Sequence, residues 1–260
     1  MRTRLVLVLG MHRSGTSVMA AGLQCLGVSL GDRLTGSGPD NPKGFWENGD
    51  VLALNERVLA AIGRDWQTPE AIDRTALTAP ALAPFAEAGR RILQDQLSRF
   101  PDFGLKEPRL CRLLPFWRPI FDALGCAVSV VYAVREPASV ARSLAKRNRI
   151  PMPCGRALWL AYVRDGLADA DPAWPAVVVD HALLMRDPVG QLRRMSAALV
   201  RPLDERLAAE FAAAFIDEGL WHERDAAEPG GPVGDVWQWC REASADRMSV
   251  GDLRQRASGL

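Results

Sequence analysis

The 260-residue chain is expected to fold as an α/β protein of three layers, a central parallel sheet flanked by helices. Three observations point there. Uninterrupted β-prone apolar runs at Arg4 to Leu9, Ala127 to Val134 and Ala176 to Val179 suit strands covered on both faces. Segments with helical apolar periodicity separate them. A glycine-bearing loop, Gly10 to Ser17, follows the first run and opens the first helix.

Taken in order, Thr16 to Leu26 predicts a helix with Val18, Met19, Gly22, Leu23 and Leu26 on one side and Gly27 as its stop. Ser29 to Gly44, glycine-rich with Pro39 and Pro42, predicts a loop. Glu47 to Ile62 predicts a helix burying Val51, Leu52, Leu54, Val58, Leu59 and Ile62. Thr68 to Pro84 is expected to be irregular, and Phe85 to Phe100 helical. Phe103 to Lys106 is a short strand ending at Pro108. Helices are expected over Pro137 to Lys146, opened by its proline, and over Gly155 to Ala170, Asp187 to Leu199 and Leu203 to Phe215. The tail from Pro229 carries Gly-Gly-Pro and two tryptophans and shows no assignable pattern. With no composition break, residues 1–260 form one expected domain.

The apolar share of 48% and charged share of 24% are ordinary for a globular chain, long enough to bury a core without disulfides or metals. A net charge of +1 gives no global pull toward nucleic acid or an anionic membrane, while leaving room for a local anion site. The five cysteines are odd in number and form no CxxC pair, which favours a reducing compartment. The apolar run Leu5 to Leu9 is too short for a signal-peptide core or a membrane span. A cytoplasmic protein is therefore expected; oligomeric state has no signature in the sequence.

The loop Gly10-Met-His-Arg-Ser-Gly-Thr-Ser17 carries the chemistry. Between a strand and a helix, such a loop turns backbone N–H groups toward one point, and the helix N-terminus favours an anion there. A Walker A loop has Lys after its second glycine, where this chain has Thr16. The positive charge sits inside the loop instead, at Arg13. A second element follows the mid-chain strand: Arg135 at its end and Ser143 eight residues on. Arg offers a planar fork to phosphate oxygens and Ser a neutral donor.

The two elements together resemble the sulfotransferase family, a P-loop-like fold that uses 3′-phosphoadenosine-5′-phosphosulfate (PAPS) as donor and releases the bisphosphate PAP. The form Arg-Ser-Gly-Thr-Ser looks closer to the carbohydrate and tyrosylprotein branches than to the classical cytosolic branch. The resemblance spans roughly Leu5 to Leu199 and includes Leu105-Lys106-Glu107-Pro108-Arg109, similar to a segment whose lysine lies beside the transferring sulfuryl group. It also includes the strand ending at Asp180 and the Asp187-Pro188 helix start. It implies that His12, Arg13, Ser14, Gly15, Thr16 and Ser17 hold the 5′-phosphosulfate, and that Arg135 and Ser143 hold the 3′-phosphate. It assigns Arg13 and Lys106 to the charge that develops on the leaving oxygen, with no metal ion required. The C-terminal element that completes the 3′-phosphate site in the cytosolic branch is absent; Arg241, Arg247 and Arg254 are candidates to replace it.

The acceptor implied is a hydroxyl of a glycan, glycolipid or natural product, attacked in line, and it needs a base. The cytosolic branch uses a histidine where this chain has Pro108. Glu47, after the flexible loop, is the first candidate; as a helix-start carboxylate it would alternatively serve the dipole, at about 1 kcal/mol. Glu107 is the reserve. His12 is expected to face the nucleotide rather than act as base and His181 to be structural; His222 is a candidate for the acceptor site or else a loop or helix-end histidine. Trp46 and Trp66 are candidates for an acceptor wall or for the core. The alternatives are an atypical P-loop kinase, opposed by the missing Walker lysine, and a non-catalytic nucleotide-binding protein of the same fold.

Overall fold

The computed structural model of the chain describes residues 3–38, 41, 43–215 and 230–260. Strand β1 (Arg4–Leu9) leads into α1 (Thr16–Gly22), which ends in a 3₁₀ turn at Leu23–Leu26. Then come α2 (Gly49–Ala61), the short α3 (Arg74–Leu77), a 3₁₀ turn at Pro80–Leu82, and α4 (Ala83–Arg99). Strand β2 (Asp102–Lys106) is followed by α5 (Leu110–Ala123), and β3 (Ala127–Val134) by α6 (Pro137–Asn148) and α7 (Met152–Ala168). Strand β4 (Ala176–Asp180) precedes α8 (His181–Arg186), α9 (Pro188–Leu199) and α10 (Glu205–Phe215). The tail forms α11 (Gly231–Ser244) and α12 (Val250–Ser258).

The four strands form one parallel sheet in the order β2-β1-β3-β4. Alternation explains why the strands read as unbroken apolar runs. Leu5, Leu7 and Leu9 face one core, in register with Val128, Val130 and Tyr132. Val6 and Val8 face the other, with Val131, Ala133, Val177 and Val179. On the first face lie Val51 of α2, Leu93 of α4, Trp117 of α5, Trp159 of α7, Trp237 of α11 and Leu253 of α12. On the second lie Met19 of α1, Leu184 of α8, Leu192 and Met195 of α9, and Phe211 of α10. The three-layer parallel fold expected from the sequence is the one present.

The differences have physical causes. The segment before β3, without an assigned element in the sequence, is α5, a helix with Pro115 and Pro119 inside it. An interior proline costs about 3 kcal/mol. Leu110, Leu113, Leu114, Trp117 and Phe121 are fully buried, and about 1.5–3 kcal/mol for each such side chain offsets that cost. The helix expected from Glu47 begins two residues later. Asn48 caps it, its side chain accepting from the N–H groups of Asp50 and Val51 at 3.1 Å each, so Glu47 is not a helix-start carboxylate. The 68–84 stretch is not irregular throughout, since Asp73 caps α3. The tail holds two helices because Trp237, Cys240 and Leu253 reach the first core.

A buried ion pair ties α5 to α7: Arg112 Nε lies 2.6 Å from Asp165 Oδ2, and both are nearly solvent-free. Arg112 also donates to the carbonyls of Thr68 (3.0 Å) and Glu70 (2.6 Å), pinning the loop before α3. Asp165→Ala, which strands this guanidinium, is expected to destabilise the fold by about 3–5 kcal/mol, read as a lower denaturant midpoint at unchanged slope. An unchanged midpoint would contradict the role given to the pair.

Candidate active site

The first loop is shaped by close approaches that only glycine permits. A Cβ on Gly10 would stand 2.3 Å from the Ala133 carbonyl oxygen, so the chain leaving β1 passes directly over β3. Gly15 has a left-handed backbone (φ 82°), and a Cβ there would meet the His181 ring at 2.4 Å. Arg13 is also left-handed (φ 71°) without being glycine, a conformation costing about 1–3 kcal/mol that surrounding contacts must hold. They are visible: Arg13 Nε donates to Ser143 Oγ at 2.8 Å, and its carbonyl accepts from Arg135 Nη1 at 3.2 Å. The two motifs, more than a hundred residues apart, therefore meet.

The strand order places this meeting at a switch point. From β1 the sheet grows to β2 on one side and to β3 on the other, and open α/β sheets bind ligands outside the carboxyl ends of their strands at such a point. A cleft of about 240 Å³ lies there. Every strand end contributes to it: Arg13, Thr16 and Ser17 after β1, Lys106 and Pro108 after β2, Arg135 after β3, and His181 after β4.

Segment 43–47, with Asn41, closes one side. The Lys106 ammonium is 2.5 Å from Glu47 Oε1, 2.9 Å from the Phe45 carbonyl and 3.5 Å from Ser17 Oγ. Ser17 donates to the same Phe45 carbonyl at 3.2 Å and accepts from Asn41 Nδ2 at 3.1 Å. Trp46, left-handed at φ 58°, donates its indole N–H to the Lys43 carbonyl at 2.9 Å. Burial pulls the Lys106 ammonium below its ordinary pKa, and the Glu47 carboxylate opposes that shift. Burial, with Arg13 close by, also lowers the Arg135 guanidinium. Cationic groups held together beside a loop of backbone N–H groups give the cleft a positive electrostatic character.

Most residues picked from the sequence converge: His12, Arg13, Gly15, Thr16, Ser17, Glu47, Lys106 and Arg135 all line the cleft, with Trp46. Ser143 reaches it through Arg13. Ser14 is buried, and its N–H closes a turn onto the Met11 carbonyl at 3.1 Å, so it shapes the loop rather than facing the cleft. Glu107 does not fit the reserve base role. It is fully buried, accepts from Asn55 Nδ2 and Arg109 Nη1 at 2.5 Å each, and lines no part of the cleft. Of the three C-terminal arginines, none lines the cleft; Arg254 donates to the carbonyls of Asp171, Pro172 and Trp174 and to the Tyr132 hydroxyl. His222 lies outside the described residues.

His181 is more than structural filler, since it caps the loop against Gly15 and borders the cleft. Burial and then Arg135 bring its pKa down to about 3. His12 packs against Trp66 (ring centroids 4.8 Å) and Tyr162 (5.9 Å), and burial drives its pKa well below the ordinary value. Sequence reasoning missed Arg147, Lys43, Phe45 and Met185 as lining residues. Lys43 and Phe45 stand in the same glycine-rich segment as Trp46 and had that signal. Arg147, at the end of α6, had none.

No protein-family model matches this chain, and no curated protein matches its sequence. Among solved structures it is similar to the sulfotransferase STF1 from Mycobacterium tuberculosis H37Rv, at 14% identity and a TM-score of 0.48, over 100% of this chain and 78% of that one. It is also similar to the sulfotransferase domain of the Synechococcus PCC 7002 olefin synthase, at 17% identity and a TM-score of 0.48, over 96% of this chain and 94% of that one.

The His181 shift has a pH consequence. Its folded pKa, about 3, lies below the ordinary 6.5. Between those values the unfolded chain binds a proton that the folded chain does not, so stability falls as pH drops through that window, by at most about 1.4 kcal/mol per pH unit. The stability of wild type relative to His181→Asn should therefore decline on acidification from pH 6.5 to 4, measured by urea unfolding; a constant difference would show that His181 is not held neutral.

Proposed function

We propose that the chain is a PAPS-dependent sulfotransferase acting on a hydroxyl acceptor. The observation that carries this reading is the junction of the two motifs, with Arg13 bonded to Ser143 and its carbonyl to Arg135. A kinase loop has its lysine where this chain has Thr16.

The residues present suit the donor. The glycine-shaped loop and the α1 N-terminus suit the 5′-phosphosulfate, through the N–H groups of the loop and the hydroxyls of Thr16 and Ser17. Arg135 and Ser143 suit the 3′-phosphate. The donor supplies a sulfuryl group on a good leaving phosphate. In the transfer the acceptor oxygen–sulfur bond forms while the bond from sulfur to the 5′-phosphate oxygen breaks, and its electron pair stays on that oxygen. Arg13 and Lys106 would stabilise the charge gathering there, in a partly dry cleft where such interactions count most.

Glu47 is the base in this reading. Its Oε1 is held by Lys106, while Oε2 has no hydrogen bond among the described residues and would take the hydroxyl proton. Lys106 thereby orients the base and balances the leaving oxygen from one position. We read the enzyme as acting on small hydroxylated molecules or glycans. No helix among the described residues is long and apolar enough to cross a membrane.

Calorimetric titration with PAP and with ATP–magnesium tests the donor assignment. PAP is expected to bind more tightly; tighter binding of ATP would overturn it. Glu47→Gln is expected to lower turnover by about 10²–10⁴-fold with PAP affinity within a few-fold of wild type. Full activity would remove Glu47 from the base role.

A further inference from the structure

Helix α6 carries two neighbouring rows of side chains with different surroundings. Ser143 and Arg147, one turn apart, face the site. Ser143 accepts from Arg13, and the Arg147 guanidinium stands over the Phe45 ring, 5.6 Å from its centroid. Arg142, Lys146 and Arg149 follow the i, i+4, i+7 spacing of the next row. That row faces solvent, with Lys146 and Arg149 exposed and Arg142 half-buried. It runs about 10 Å along the helix.

The row is poorly neutralised. No Asp or Glu stands between Glu136 and Asp165. Arg142 reaches Glu136 only at 3.4 Å. Among the described residues, Lys146 and Arg149 make no ion pair and no side-chain hydrogen bond. Like charges at this spacing cost a helix about 0.2–0.5 kcal/mol per pair. The helix dipole favours cations in the last turn by about 0.3–1 kcal/mol each, which accounts for Lys146 and Arg147 but not for the backbone of Arg149. Arg149 ends the helix in the left-handed conformation (φ 58°), a position that Gly or Asn fills more easily. An arginine kept there with its side chain unpaired breaks a local rule without any gain inside the fold.

The row ends at the mouth of the site. A second cavity of about 360 Å³ lies between Arg147 and Asn148 at the end of α6 and Phe45 and Glu47 of the segment opposite. Arg147, Phe45 and Glu47 also border the cleft. A ligand lying on the outer row therefore has a way past Arg147 to the candidate base.

The chemistry of that ligand follows from what the row offers. Exposed cations set in a line, rather than converging on one point, suit a chain of anionic groups better than one small anion. Arginine pairs with carboxylate oxygens through its planar fork. The large apolar side chains that stand exposed among the described residues are Val200 and Leu260, and neither belongs to α6 or to the turn after it. The row thus lacks the apolar centre of a protein–protein interface and the apolar side chains that enter a bilayer.

We propose that the outer row of α6 holds an anionic glycan, a sugar chain with repeated acidic groups, and that one of its hydroxyls passes Arg147 to reach Glu47. This rests on the sulfotransferase reading for the fate of that hydroxyl: its proton goes to Glu47, its oxygen bonds to sulfur, and the pair from the broken sulfur–oxygen bond leaves on PAP.

Calorimetric titration of the full chain, with PAP saturating the cleft, tests this. The probes are an alginate oligosaccharide, glucuronic acid, dextran of matched length, poly-L-glutamate, a thymidine oligonucleotide and phosphatidylglycerol vesicles. The alginate oligosaccharide is expected to bind most tightly, and less so as salt rises. Lys146→Gln and Arg149→Gly are each expected to weaken it by about threefold, and together by about tenfold, with PAP affinity unchanged. Glycine keeps the left-handed turn, so the thermal midpoint of Arg149→Gly is expected to equal or exceed that of wild type, which separates a lost charge from a damaged helix. The proposal is overturned if alginate binds no better than dextran or glucuronic acid, or if the polypeptide, the oligonucleotide or the vesicles bind more tightly. It is equally overturned if the double variant binds alginate like wild type, or if Arg149→Gly lowers the midpoint. Alginate binding that weakens in the variants of a chain that does not bind PAP would sustain the docking surface and sink the sulfotransferase reading alone.

Discussion

The chain leaving β1 crosses the end of β3 with no room for a side chain at Gly10, and the site is built on that crossing. The contact sets the height of the first loop above the sheet. At that height Arg13 reaches Ser143 on α6, and Arg135 reaches back to the Arg13 carbonyl. A wider gap would leave two unrelated basic residues on two loops. The close passage makes them one cationic surface, and the left-handed backbone of Arg13 is the strain that the arrangement stores. Like charges brought together in a partly buried cleft are unfavourable until an anion joins them.

Around that surface, each remaining element has one task. Lys106 sits at the end of β2 and fastens segment 43–47 by binding Phe45 and Glu47 at once. His181 sits at the end of β4 and fills the space over Gly15. The parallel sheet is what allows four strand ends to serve one cleft, since all point the same way. The two cores that sandwich the sheet keep those ends fixed.

Much of this was legible in the sequence, and the limits are instructive. The strands show as unbroken apolar runs because both faces are covered. The loop motif shows because close backbone approaches require glycine at positions 10 and 15. Helix α5 was hidden by Pro115 and Pro119, whose local preference is overridden by the packing of Trp117 and Phe121. Helices α11 and α12 were hidden because a few buried residues, among them Trp237 and Leu253, anchor otherwise polar segments. Glu47 and Lys106 were both visible as candidates, but their 2.5 Å pairing was not, because it depends on how a glycine-rich loop closes. Arg147 was invisible for a different reason: a basic residue near a helix end looks the same whether it meets solvent or a ligand.

Whether the junction of Arg13, Arg135 and Ser143 is a bisphosphate site can be read from a crystal structure of the chain with 3′,5′-adenosine bisphosphate. The 5′-phosphate is expected against the N–H groups and hydroxyls of Thr16 and Ser17, with the 3′-phosphate on Arg135 and beside Ser143. A nucleotide bound elsewhere, or bound with its 3′-phosphate turned away from Arg135, would contradict it.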